Sequence, residues 1–215
     1  YRPAEEDSYY WRIAHMLFPF YAMIPTGALG HEVRFGAYVP MDDTHTLHWE
    51  VWATLPHEGE LPLGAMGRPP ARPDTMWKPN TTDWYGRFNL VQGLDNDFLV
   101  DRDKQSRGES FTGIEGVRQQ DCAVTESMGP ISNRAREHLG TTDVLIIRTR
   151  RRLIAAARAL REHGELPPGV DQPELYRQRS GGVRLPREVH WWEGTGELRE
   201  RFSAASQAEA APAGA

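Results

Sequence analysis

At 215 residues, with 39% hydrophobic and 26% charged side chains, the chain is long enough to bury a sizeable core and too apolar to be disordered. Its net charge of −5 argues against nucleic acid or an anionic membrane as the main partner. The single cysteine, Cys122, excludes an intrachain disulfide and a cysteine-based metal cluster within the chain, and fits a reducing cytoplasm.

No apolar run approaches the roughly eighteen residues of a membrane span. The N-terminus, YRPAEEDSYYWRI, has neither the basic start nor the apolar core of a signal peptide. It lacks an initiator methionine and enters a strand-like pattern at once, so the natural beginning is expected upstream. Residues 9–24 alternate, with Tyr9, Trp11, Ile13, His15 and Leu17 on one side, which predicts an aromatic-rich strand broken by Pro19 and Pro25. Residues 31–39 and 44–55 read as a hairpin of an antiparallel sheet, joined through Pro40-Met41-Asp42-Asp43. Residues 56–85 carry six prolines and no periodicity, the texture of a long loop and a candidate lid. A short strand is expected at 88–91.

Residues 94–103 (LDNDFLVDRD) open a short helix behind an Asp or Asn cap. Thr112-Gly-Ile-Glu115 has capping-box spacing, so a helix is expected from about Gly113 to Gly129-Pro130. On it Val117, Asp121, Val124 and Met128 share one face, which puts Asp121 in an apolar stripe. A carboxylate buried there needs a metal, a cation or several N–H donors to offset its desolvation. A long helix follows over 143–163, with Asp143 at its N-terminus, a core stripe of Ile146, Leu153, Ala157 and Leu160, and a stop at Gly164. The apolar residues of 183–185 and Trp191-Trp192 are expected to pack back on the core. Residues 203–215 read as a disordered tail behind one domain over 1–202. Strands first and helices after give an α+β class, with long C-terminal helices packed on one face of an antiparallel sheet.

None of the eight histidines has a partner at helical ligand spacing, and His45 and His48 read as ordinary strand residues. His15, beside Trp11 and Ile13, reads as a core or pocket-wall histidine. The basic run Arg148-Thr-Arg-Arg-Arg152 spans just over one helical turn and spreads its charge around the helix, as a solvated or subunit-facing surface or as an anion site. Cys122 has no neighbouring histidine and is a poor nucleophile candidate. Spacing leaves Asp121 open between an arginine-paired carboxylate, with Arg134 as one candidate, and a metal ligand.

Residues 120–131 (QDCAVTESMGPI) resemble the catalytic-domain signature of Rieske non-haem iron oxygenases. The branch is that of phthalate and phenoxybenzoate dioxygenases and dehydrodivanillate O-demethylase. The likeness continues through Arg134, Arg136-Glu137-His138-Leu139-Gly140-Thr141, Asp143 and Arg151-Arg152, and upstream through Tyr10-Trp11-Arg12-Ile13 and residues 95–102. Asn133 and Ala135 depart from it, where the branch commonly has Asp and Ser.

The resemblance implies a helix-grip fold, truncated at its N-terminus, and the C-terminal part of an oxygenase α-subunit catalytic domain. It implies that Asp121 is the carboxylate of a two-histidine, one-carboxylate triad holding mononuclear Fe(II), with open positions for O2. Electrons would come from a Rieske [2Fe–2S] centre of the parent enzyme, fed by a reductase or ferredoxin. The two iron histidines and the Rieske ligands would precede Tyr1. The implied substrate is an aromatic molecule, hydroxylated or O-demethylated, with Trp11, Ile13 and His15 as pocket wall. The implied full-length protein is a trimer-type homo-oligomer. The alternative class is a non-catalytic helix-grip module that binds an apolar ligand.

Overall fold

A computed structural model describes residues 1–54 and 76–200. In chain order the strands are β1 (Arg2–Pro3), β2 (Ser8–Ile13), β3 (His15–Leu17), β4 (Tyr21–Met23), β5 (Glu32–Pro40), β6 (Thr46–Thr54) and β7 (Gly181–Pro186). The α-helices are α1 (Arg102–Ser106), α2 (Val117–Glu126), α3 (Val144–His163), α4 (Trp191–Gly194) and α5 (Gly196–Glu200). The α+β class expected from the sequence is the one observed. The chain divides into two compact units, Tyr1–Arg68 with His138–Ala215, and Pro69–Glu137. Residues 56–75 of the expected loop and the expected tail at 203–215 lie outside the described residues.

The first unit holds two antiparallel sheets, ordered β1-β2-β7 and β3-β4-β5-β6. The single strand expected over 9–24 is therefore three. β2 pairs with β7, with Trp11 opposite Val183 and Ile13 opposite Gly181. Ala14 interrupts, and β3 opens a different sheet with His15 opposite Met23. Alternation reports which residues share a face, and it says nothing about which partner strand each stretch takes. The turn from β3 to β4 passes through Pro19, behind a cis Phe18–Pro19 peptide, and Tyr176 Oη donates to Phe18 O at 2.7 Å.

β5 and β6 form the expected hairpin, with Arg34 opposite Trp52 and Gly36 opposite Glu50. On one face Arg34 grips Glu50 through Nε and Nη2, at 3.0 and 2.7 Å, and its guanidinium lies 4.6 Å from the Trp52 ring. The same face stacks His48 on Tyr38 with centroids 4.5 Å apart, while His45 closes the hairpin turn on Asp42. Both histidines are thus accounted for by strand and turn packing.

β7 is held on its other side by a two-way clamp. Leu29 N donates to Gly182 O at 3.0 Å, and Gly182 N donates to Gly27 O at 2.6 Å. A Cβ at Gly181, whose φ is +153°, would lie 2.5 Å from Leu29 N, so only glycine lets the backbones approach this closely. Among the described residues of this unit, Ile13, Met23, Ala28, Leu29, Ala37 and Leu185 are the buried apolar ones. The Trp191-Trp192 anchor forms α4, and the buried Arg199 guanidinium lies 3.6 Å from the Trp192 ring centroid, donating to Thr195 Oγ1 at 3.0 Å.

α3 runs within a residue of its expected bounds and ends on Gly164 in the left-handed region (φ +70°). Its protected side differs from the expected stripe. Ile147, Arg150, Leu153, Ala156 and Ala159 are half-buried, whereas Ile146, Ala157 and Leu160 are exposed.

The second unit is mostly irregular. The strand expected at 88–91 is reduced to one bridge, Trp77 with Leu90. The helix expected over 94–103 is split into a turn, Leu94–Leu99, and α1, which Asp101 caps by accepting from Lys104 N at 2.8 Å. Asp97, Phe98 and Leu99 take left-handed φ values of +50°, +52° and +53°, a rare run for non-glycine residues. Phe98 is buried, and the turn packs against α2.

Candidate functional site

α2 starts later than the capping-box spacing predicts. Thr112 Oγ1 accepts from Ile114 N at 3.1 Å, closing a local turn, and Glu115 is drawn to Lys104 Nζ at 2.7 Å. With both box residues engaged elsewhere, Gly116 becomes the N-cap at φ +86°. Gln120 Nε2 then donates to Ile114 O at 2.9 Å and ties the first turn to the preceding segment. The helix ends at Glu126, with Ser127 as C-cap, and the chain turns away just before Gly129, whose φ is +88°.

Asp121 is the fifth of the ten α2 residues and shares a face with Val117, Val124 and Met128. That face is not buried. Val117, Val124 and Met128 are 73%, 66% and 56% exposed, and Asp121 is exposed with them. The expected desolvated carboxylate is thus corrected: periodicity placed it on the apolar stripe, but nothing among the described residues covers that stripe. The carboxylate accepts no hydrogen bond and joins no ion pair among the described residues. Arg134, its candidate partner, is bound to Glu137. Next to Asp121, burial pushes the Cys122 thiol up and the Glu126 carboxylate adds to the shift, so the sulfur stays protonated and weakly nucleophilic.

Asp121 is chemically suited to supply one hard oxygen ligand to Fe(II). No group of three His, Cys, Asp or Glu side chains able to hold a metal occurs among the described residues. The described residues therefore do not by themselves make an iron site.

The other three expected site residues belong to the first unit and are separated by the break at Ala14. Trp11 stacks on Trp191, with ring centroids 6.0 Å apart, and on Tyr1 at 4.5 Å. Ile13 is core, opposite Gly181. His15 alone lines a cavity, of about 440 Å³, which falls within the size range of small-molecule sites, about 300–1,000 Å³. Its Nε2 lies 3.0 Å from Arg179 O, and since a carbonyl can only accept, Nε2 carries the proton. Burial holds its pKa below the usual histidine value, and the nearby Arg199 charge acts in the same direction. His15 is thus a neutral imidazole with the Nδ1 lone pair open.

The cavity's opposite wall is α3. Leu145, Arg148, Thr149 and Arg152 line it, together with Leu175 and Tyr176 from the segment before β7. Arg148 and Arg152 belong to the basic run 148–152, which the sequence leaves open between a solvated or subunit-facing surface and an anion site. Their i, i+4 spacing was the available signal that these two share a face. Tyr176 carried no signal in the sequence, because its place depends on the long-range bond to Phe18 O.

The described residues thus form an α+β segment with an exposed carboxylate on α2 and, in the first unit, a cavity of small-molecule size. Residues 2–193 match the family described as LigXa C-terminal domain like, and the chain belongs to that family. It is 44% identical over 194 residues to the 3-chlorobenzoate-3,4-dioxygenase oxygenase subunit of Comamonas testosteroni, covering 88% of this chain and 45% of that protein. It is 30% identical over 191 residues to the phthalate 4,5-dioxygenase oxygenase subunit of Pseudomonas putida, covering 86% of this chain and 40% of that protein. The chain thus spans less than half the length of either relative. The resemblance to Rieske oxygenase α-subunits is borne out by these matches. No helix among the described residues is long and apolar enough to cross a membrane.

Proposed function

We propose that the chain is the C-terminal part of the catalytic domain of an oxygenase subunit that inserts oxygen from O2 into an aromatic substrate. In this reading Asp121 is the carboxylate ligand of a mononuclear Fe(II), and two histidines from elsewhere in the polypeptide complete the set. The observation that carries it is the state of Asp121. It sits mid-helix within the segment 120–131 that resembles the oxygenase signature, exposed and committed to no partner among the described residues. Bound iron would supply the O2 activation, with electrons from a Rieske centre fed by a reductase or ferredoxin. The part of this chain is to hold a carboxylate at a fixed place on α2, which the Leu94–Leu99 turn buttresses. Hydroxylation and O-demethylation both begin with oxygen insertion and remain alternatives for the product.

The test is Asp121→Ala in the full-length protein. Mononuclear iron per subunit is expected to fall to background while the Rieske paramagnetic signal persists. Unchanged iron per cluster would refute the ligand assignment. A non-catalytic binding module, the second reading, has the His15 cavity in its favour, and it predicts no iron in either protein.

A further inference from the structure

The geometry points to the segment between α3 and β7 as a hinged strap that opens and closes the cavity, with Tyr176 as its latch. The inference concerns entry and exit, and holds whatever molecule the cavity takes. It is independent of the iron reading, because Asp121 is not among the lining residues. Pro168, Gly169, Leu175, Tyr176 and Gln178 of the strap form one wall, and β3, Phe18 and α3 supply the rest. From Val170 to Gln178 the strap is bonded to itself. Val170 N donates to Pro167 O, Leu175 N to Gln172 O, Arg177 N to Glu174 O and Gln178 N to Tyr176 O, all at 2.8–3.3 Å. Val170 and Leu175 leave much of their apolar surface exposed. Self-contained bonds and little burial mark a segment of low local stability, so the strap opens at a smaller cost than the sheets unfold.

Three side-chain bonds tie the C-terminal end of the strap to the strands. His15 Nε2 donates to Arg179 O at 3.0 Å and Ser180 Oγ to Ile24 O at 3.1 Å, both at the root of β7, where Ser180 is buried. These two make the pivot. The third lies out on the strap, where Tyr176 Oη donates to Phe18 O at 2.7 Å. The same ring seals the strap against itself, because a Cβ on Gly169 would stand 2.5 Å from it. It also meets the Tyr21 ring edge-on, with centroids 6.4 Å apart. One side chain thus completes the cavity wall and fastens it to the β3–β4 turn. At the far end the chain leaves α3 through Gly164, at φ +70° with open space where a Cβ would stand, which suits a hinge.

Hydrogen exchange and thiol labelling of the full-length protein test the latch. Tyr176→Phe keeps the ring and removes the hydroxyl. Amides of residues 170–178 are expected to exchange about fivefold faster in it, the factor one ordinary hydrogen bond is worth, with those of β5 and β6 unchanged. Thr149→Cys, half-buried on the α3 wall, reports on the cavity itself in a Cys122→Ser background. Its reaction with a methanethiosulfonate reagent should speed up by a similar factor once Tyr176→Phe is added. Gly169→Ala, which drives a methyl group into the Tyr176 ring, should reproduce both effects by a separate route. Arg177→Ala, an exposed neighbour outside the cavity wall, should produce neither. Faster exchange that spreads equally to β5 and β6 would show that the hydroxyl props the whole unit, and would overturn the proposal. So would unchanged exchange at 170–178, or a Thr149→Cys thiol that reacts equally fast with and without the hydroxyl.

Discussion

Asp121→Ala should make this chain more stable. Asp121 stands in the interior of α2, where aspartate is less favourable than alanine by up to about 0.7 kcal/mol. At the fifth of ten positions it is too far from the N-terminal dipole to recover much of that. The side chain is exposed, so its removal leaves no cavity, and no ion pair or side-chain hydrogen bond is lost among the described residues. What remains is the propensity gain, about 0.5 kcal/mol. With a urea slope of about 2–3 kcal/mol per M, that moves the midpoint upward by about 0.2 M. Urea melts followed by far-ultraviolet circular dichroism would register it. A loss of more than about 1 kcal/mol would show that the carboxylate is a paired structural group, and the reasoning would fail. Stabilisation here, beside loss of iron in the full-length enzyme, is the signature of a residue kept for function at the expense of stability.

Two further outcomes concern the first unit. Because burial lowers the pKa of His15 in the folded chain, the unfolded state binds its proton first as the pH falls. Its contribution to stability is therefore complete above about pH 6.5, and declines as the pH drops from there towards the depressed folded value. His15→Gln, which keeps a donor for Arg179 O, should flatten that part of the stability–pH curve; an unchanged curve would refute it. Gly181→Ala should cost more than about 2 kcal/mol, since the new Cβ would meet Leu29 backbone at 2.5 Å with φ at +153°. A thermal melt within about 1 °C of the wild type would contradict the close approach seen there.

What the sequence conveyed and what it withheld divide along the range of the interactions involved. Glycine and proline stops acted locally, so the end of α3 at Gly164 was legible, as were the close of α2 just before Gly129 and the β5–β6 hairpin. The start of α2 was not. A capping box needs Thr112 and Glu115 to be unengaged, and Lys104, eleven residues upstream of Glu115, captures one of them. The split at Ala14 escaped for a similar reason, because it is set by β7 and the Ala28–Leu29 clamp, more than a hundred and fifty residues from one another. The left-handed run at Asp97–Leu99 has no glycine to announce it.

Asp121 is the most instructive case. The periodicity that placed it among Val117, Val124 and Met128 was correct as geometry, and the inference of burial was not. An apolar stripe shows which face is built to be covered, and only contacts show what covers it. Within this chain nothing covers it among the described residues, so the carboxylate at its centre stays in water and needs no buried partner. The Arg148–Arg152 pair inverts the lesson. A charge run that the sequence leaves open between solvated or subunit-facing surface and anion site contributes Arg148 and Arg152 to a cavity wall, and their i, i+4 spacing was in the sequence from the start.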